Sequence, residues 1–320
     1  MLLLEIIYLI LKHLVAGGAG FLGSYLIDYL MQNDEEVICL DNLLTGDLSN
    51  IKQWEMNPKF LFINHDVINP INLKVDKIWH FSCPASPSLY KLEPIKTLKI
   101  CFEGTLNLLE LAKSNKAKIL FASSSEVYGK AEQYPQSENY TGSVNTFNER
   151  SCYSEGKRIA ESLCYAYMKK YNLDISIARL FNVYGPRMLY RDGRVISNFI
   201  WNALQSKELI INGDGKQTRS FCYVDDVICG LLKLMNSNYK NPINFGNPNE
   251  EYSIIDLANL IIKISKSNIG IRYASQINDE PLRRKPNILL ANKTLKWYPK
   301  YSIKYGLNKT FDSIQKSIKL

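Results

Sequence analysis

Residues 12–41 restrict the possible folds more than any other stretch of the chain. Lys12 to Ala16 is a short apolar strand that meets Gly17-Gly18-Ala19-Gly20-Phe21-Leu22-Gly23, and a helical pattern follows from Ser24 to Met31. Glycines at 17, 20 and 23 permit a tight turn, close approach of backbone to a pyrophosphate and close helix packing, with the phosphates on the helix N-terminus. A second strand, Val37 to Leu40, ends in Asp41. That is the ~20-residue offset at which an acid takes ribose hydroxyls. Asp41 repels a 2′-phosphate, so the pattern points to NAD rather than NADP.

Strand and helix continue to alternate. Strands are expected at Phe60 to Asn64, Lys77 to Phe81, Lys118 to Ala122 and Asp174 to Leu180, with a helix from about Thr97 to Lys113 between the second and third. Repeated βαβ units imply an α/β, Rossmann-type, doubly wound parallel sheet with ligands outside the carboxyl ends of its strands. From Asn182 loops, prolines and basic residues increase, although Val224 to Met235 and Ile243 to Phe245 still read as regular elements. The expected organisation is an NAD-binding domain over residues 12–183 with returning segments at about 222–248. Residues 184–221 and 249–320 form a smaller, interleaved substrate-binding domain, with Ser253 to Lys266 an amphipathic helix opened by Ser253 and Asp256 as a capping-box variant.

Composition removes several function classes. The net charge of +8 comes from dispersed residues. Dispersal favours an anionic small substrate over nucleic acid, which calls for basic clusters with interleaved aromatics. Seven cysteines without a Cys-x-x-Cys pair suggest neither a disulfide framework nor a zinc site. They fit reduced, mostly buried thiols in a cytoplasmic setting. The apolar residues 1–11 are too few to cross a bilayer and lack a cleavage site, so they read as an N-terminal extension packed on the domain rather than a membrane anchor or signal peptide.

Tyr153 and Lys157 lie four residues apart in Ser151-Cys152-Tyr153-Ser154-Glu155-Gly156-Lys157-Arg158. On a helix they share a face. The ammonium is expected to lower the phenol's ordinary pKa of ~10, making Tyr153 a general base. On this spacing alone an ordinary helix face is the commoner outcome; the cofactor turn gives the pair its meaning.

Together with Ser124, these features make the chain similar to the extended short-chain dehydrogenase/reductases, and closer still to their UDP-glucuronate decarboxylase branch. The likeness is carried by Pro84-Ala85-Ser86-Pro87, Pro94 to Lys99, Ser125-Glu126-Val127-Tyr128-Gly129, Pro135-Gln136-Ser137-Glu138, Cys152 to Glu161, Gly185-Pro186-Arg187-Met188, Asp192-Gly193-Arg194-Val195, Gln217-Thr218-Arg219 and Arg284-Lys285-Pro286. The resemblance implies that Tyr153 and Lys157 are the catalytic couple. Ser124 then shares the hydrogen bond to the substrate hydroxyl, and Glu126 and Arg284 work near the sugar C5 and carboxylate. It assigns NAD to Gly17, Gly20, Phe21, Leu22, Gly23, Asp41, Asn42, Thr45, Gly46, Asp66 and Val67, with Tyr153 and Lys157. UDP-glucuronate falls to Lys99, Asn107, Arg150, Asn182, Arg194 and Arg219, with Tyr153 and Arg284. A homodimer through the helices near Thr97 and Tyr153 is also implied, as is a product, UDP-xylose, formed with no net redox change.

The chain departs from that pattern in places. Ala16 stands where threonine usually precedes the glycines, Ser82-Cys83 replaces an alanine-serine pair near the nicotinamide, and Ile100-Cys101 replaces a polar pair. The competing readings are a nucleotide-sugar 4-epimerase, a 4,6-dehydratase or a non-catalytic NAD-binding scaffold. A dehydratase typically carries an acid where Ser125 stands, epimerases usually lack a glutamate at 126, and a scaffold has no use for Ser124, Tyr153 and Lys157.

Overall fold

The computed structural model describes residues 11–190, 193–276 and 281–318, so most of the apolar extension (1–10) and Asp192 lie outside the described residues. The chain begins β1 (Lys12–Ala16), α1 (Phe21–Gln32), β2 (Glu36–Asp41), β3 (Phe60–Asn64) and β4 (Lys77–His80). Next come α2 (Pro87–Leu92), α3 (Pro94–Lys99), a π-helical segment (Ile100–Gly104), α4 (Thr105–Asn115), β5 (Lys118–Ser124), α5 (Ser151–Tyr171) and β6 (Ile175–Leu180). The remainder runs β7 (Val183–Tyr184), α6 (Val195–Leu204), β8 (Leu209–Asn212), β9 (Thr218–Ser220), β10 (Cys222–Tyr223), α7 (Val224–Met235) and β11 (Ile243–Phe245). It closes with β12 (Glu251–Ser253), α8 (Ile254–Ser265), β13 (Ile271–Ala274), β14 (Arg283–Arg284), α9 (Leu289–Leu295) and α10 (Ile303–Ile318).

Seven strands form one sheet in the order β11-β6-β5-β4-β1-β2-β3, all parallel. Parallel strands covered on both faces need apolar side chains on both, and β1 (Leu14, Val15, Ala16) and β2 (Val37, Ile38, Cys39, Leu40) supply them fully buried. Leu26, Ile27 and Leu30 of α1 are buried with them. Burying one such side chain contributes ~1.5–3 kcal/mol. From β1 the chain winds to β2 and β3 on one side and returns to β4, β5 and β6 on the other. A crevice therefore opens at the carboxyl ends of β1 and β4.

Two expected elements differ in detail. The helix expected from Thr97 to Lys113 is α3 and α4 joined through the π segment. A Cβ on Gly104 in that segment would sit 2.8 Å from Val67 Cγ2, so the irregular turn permits a close contact that a longer side chain would block. The strand expected to end at Ala122 runs to Ser124 and places that hydroxyl at the sheet's rim. Beyond β6 the short strands pair locally: β7 with β10, β8 with β13, and β9 between β12 and β14. The pairing of β14 with β9, Arg284 opposite Arg219, brings these two distant arginines together.

Candidate active site

The sheet's carboxyl ends and the β9–β14 strands enclose a cleft of about 860 Å³. Gly17, Gly20, Phe21, Leu22, Gly23, Asp41, Asn42, Thr45, Asp66 and Val67 form one part of its wall, and Ser124, Glu126, Arg150, Tyr153, Lys157, Asn182, Arg194, Arg219 and Arg284 the other.

The dinucleotide end is built by backbone. Gly17 has φ +79°, and a Cβ there would lie 2.8 Å from the Phe81 carbonyl carbon. Its amide donates to Leu40 O at 2.8 Å. Asp41, at the end of β2, accepts from Ala19 N at 3.0 Å and Leu43 N at 2.8 Å. Burial raises its pKa and those amides oppose the rise. Helix α1 starts at Gly20 with no side-chain cap and no acidic residue in its first turn, leaving its amide dipoles directed at the cleft. Asn42 Nδ2 donates to Asp66 Oδ2 at 2.9 Å and closes the wall beyond. These residues fit NAD: a bare helix N-terminus for the pyrophosphate and a buried acid for ribose hydroxyls. Gly46 stands behind the wall, its Cβ position 2.8 Å from the Asp41 carboxylate.

At the other end, α5 presents Tyr153 and Lys157 one turn apart, both buried. Lys157 Nζ donates to Ala122 O at 2.8 Å and lies 4.8 Å from the Phe121 ring centroid and 5.8 Å from that of Tyr153. The expectation that lysine lowers the Tyr153 pKa does not hold. Burial pushes the phenol well above its ordinary range, the Cys83 charge adds to the rise, and the hydrogen bond with Ser124 pulls the other way.

Glu126 and Arg284 meet directly. Arg284 Nη1 and Arg150 Nη2 both donate to Glu126 Oε1 at 2.5 Å. Burial raises the Glu126 pKa, but the two guanidiniums outweigh it and hold the carboxyl at about 2. Glu126 is therefore an ionised pairing residue, which disfavours Glu126 itself as the C5 proton donor and leaves the alternative of a water held beside it. Arg150, expected on the sugar, is held against Glu126. Arg284 itself is 5% exposed, and its Nε and Nη2 have no hydrogen-bond partner among the described residues. A buried guanidinium edge left unpaired costs several kcal/mol, ~1–3 or more per group. It matches the bidentate geometry of a carboxylate.

Two expected substrate ligands lie elsewhere. Asn107 Nδ2 donates to Val67 O and Ile68 O, each at 2.9 Å, so it holds the loop behind the cofactor. Lys99 is exposed and outside the cleft wall. Asn182 donates to Ser220 O at 3.0 Å, and the Arg194 guanidinium lies 5.7 Å from the Phe21 ring centroid. One wall residue, Tyr90, was not anticipated, and a second, Cys83, was expected only as a departure near the nicotinamide. Tyr90 stacks on Tyr153 with centroids 5.0 Å apart, its hydroxyl buried without a partner among the described residues. Cys83 packs beside both. Pro84 to Pro87 marked this loop, but nothing local says which of its neighbours reaches a helix some 60 residues later.

Residues 13–246 match the model of the NAD dependent epimerase/dehydratase family. UDP-glucuronic acid decarboxylase 1 of Xenopus tropicalis is 49% identical over 305 residues, 95% of this chain and 72% of that protein. UDP-glucuronic acid decarboxylase 6 of Arabidopsis thaliana is 48% identical over 298 residues, 93% of this chain and 87% of that protein. The chain belongs to the UDP-glucuronic acid decarboxylase family. The family's NAD dependence accords with the glycine turn and Asp41. Among solved structures, UDP-glucuronic acid 4-epimerase from Bacillus cereus in complex with UDP-glucuronic acid and NAD superposes with a TM-score of 0.87 at 30% identity. The match covers 96% of this chain and 99% of that one.

Proposed function

We propose that the protein converts UDP-glucuronate to UDP-xylose and carbon dioxide by a cycle of oxidation, decarboxylation and reduction at one site. The observation that carries this reading is the unpaired Nε/Nη2 edge of buried Arg284 in the same cleft as Tyr153 and Lys157. Bound NAD supplies the acceptor for the C4 hydride and returns it later. Tyr153 as phenolate takes the C4 hydroxyl proton, with Ser124 hydrogen-bonded to it; burial alone favours the neutral phenol, and the positive charges of Lys157 and of bound NAD's nicotinamide would offset that. The 4-keto acid so formed is a β-keto acid; its carboxyl carbon leaves as carbon dioxide because the bonding pair flows into the ketone. Arg284 holds the carboxylate until that bond breaks, and Glu126 keeps Arg284 in place. Water then returns a proton to C5, and Tyr153 gives its proton back to the C4 oxygen on reduction. Arg194 and Arg219 face the diphosphate.

Two variants separate chemistry from binding. Tyr153→Phe is expected to lose roughly 100- to 10,000-fold in turnover while still binding NAD and UDP-glucuronate. Arg284→Met is expected to lose binding of UDP-glucuronate selectively, with UDP-glucose binding retained in calorimetry. Equal loss of both ligands would remove Arg284 from the carboxylate.

The same reading includes a homodimer, supported by Ile95, Leu98, Phe102, Ile159 and Tyr165, all exposed on α3, the π segment and α5. A monomer mass by light scattering would contradict it. No helix among the described residues is long and apolar enough to cross a membrane. The free thiols fit a cytoplasmic setting, which recovery of the protein in a membrane fraction would refute.

A further inference from the structure

Cys83 and Cys101 lie in the wall and floor beneath the catalytic tyrosine. Cys83 follows β4 and lines the cleft; Cys101 is buried in the π segment, and their Sγ atoms are 3.2 Å apart. A disulfide needs ~2.05 Å between sulfurs, so closure requires them to approach by about 1.2 Å more. The decarboxylation cycle uses neither thiol.

We propose that Cys83 and Cys101 form a peroxide-sensitive thiol pair that closes to a disulfide and lowers turnover. The pair has the asymmetry such chemistry needs. Cys83 is half-buried and reachable from the cleft, while Cys101 is enclosed and 2% exposed. The hydrogen bond between the two sulfurs lowers the Cys83 thiol against the effect of burial, with the Lys157 charge assisting. Cys101 is pushed well above its ordinary value. Cys83 is thus the more readily ionised of the two, suited to attack, and enclosed Cys101 is placed to resolve. In the first step the Cys83 thiolate attacks hydrogen peroxide, the O–O bond breaks, and Cys83 becomes a sulfenic acid with release of hydroxide. Cys101 then attacks the sulfenic sulfur, the S–S bond forms and water leaves. Two thiols are oxidised by two electrons in all, and the peroxide is reduced to two waters.

Closure bears on Tyr153 through packing. A Cβ on Gly156 would sit 2.9 Å from Cys101 Sγ, so Cys101 is wedged against α5 within the turn that carries the catalytic couple. Cys83 packs on the cluster of Tyr90, Cys152 and Tyr153. Drawing the two sulfurs together moves both surfaces on which Tyr153 rests.

The test treats the full-length NAD-loaded protein with hydrogen peroxide, blocks remaining thiols with iodoacetamide and maps peptides by mass spectrometry, with turnover assayed in parallel. The expected result is one peptide pair joined Cys83 to Cys101 and a several-fold fall in turnover that dithiothreitol restores. Cys101→Ser should form no such link and leave Cys83 as a dimedone-reactive sulfenic acid, while Cys152→Ser should still form it. The thiol readout does not depend on which sugar the cleft takes. Alkylation of both cysteines unchanged by peroxide, a link from Cys83 to Cys152, or a Cys83–Cys101 link with turnover unaltered would overturn the proposal.

Discussion

Glu126 shows how one buried carboxylate can be decided by its neighbours. Removal from water favours its neutral form, yet the Arg284 and Arg150 guanidiniums hold its pKa at about 2, below the ordinary 4.5. Because the folded value is the lower one, ionised Glu126 stabilises the fold fully above pH 4.5, and that contribution is lost as pH falls from 4.5 toward 2. Glu251, paired with Arg283 and held at about 2, acts over the same range. Glu126→Gln should therefore flatten, without abolishing, the acid loss of the urea midpoint between those pH values. Superimposable slopes for the variant and the parent would contradict the double pairing. The Tyr153–Lys157 couple was legible in the sequence because both members sit on one helix, four residues apart. The ion pair was not, because it joins positions 126 and 284. The placements of Asn107 and Lys99 away from the cleft wall were unreadable for a related reason: residue type names the possible chemistry, while the fold decides which way an amide or ammonium points.

The strand–turn–helix from Lys12 to Gln32 is the element on which the proposed cofactor site rests, and it was readable to within three residues because glycine spacing and apolar runs are local signals. A Cβ on Gly23 would lie 2.2 Å from Gly17 O and 2.7 Å from Gly18 Cα, both backbone atoms that cannot swing aside. Gly23→Ala must open the turn, and overpacking of this kind costs ~1–3 kcal/mol. At about 1.4 kcal/mol per decade, NAD affinity should weaken roughly tenfold or more by fluorescence titration, with a lower melting temperature. An unchanged affinity would place the dinucleotide elsewhere. The π segment between α3 and α4 had no such local signal. Its irregularity answers the close approach of Gly104 to Val67 and of Cys101 to Gly156, contacts made with residues far along the chain.

At the scale of the whole molecule, alternation of strands and helices identified the doubly wound sheet. The short strands beyond β6 were harder to read, since runs of two to four residues carry little periodicity. Their consequence is large, because the β9–β14 pairing carries Arg284 across to Glu126, in the cleft that Tyr153 and Lys157 also line. The central claim is that oxidation at C4, loss of the carboxyl group and re-reduction all occur in this one cleft with a recycled cofactor. It is tested most directly by incubating the purified protein with UDP-glucuronate and no added NAD, while following carbon dioxide and the nucleotide sugars by nuclear magnetic resonance. The account predicts many turnovers, with carbon dioxide and UDP-xylose appearing in equal amounts. Formation of the 4-epimer, UDP-galacturonate, with no carbon dioxide released would contradict it.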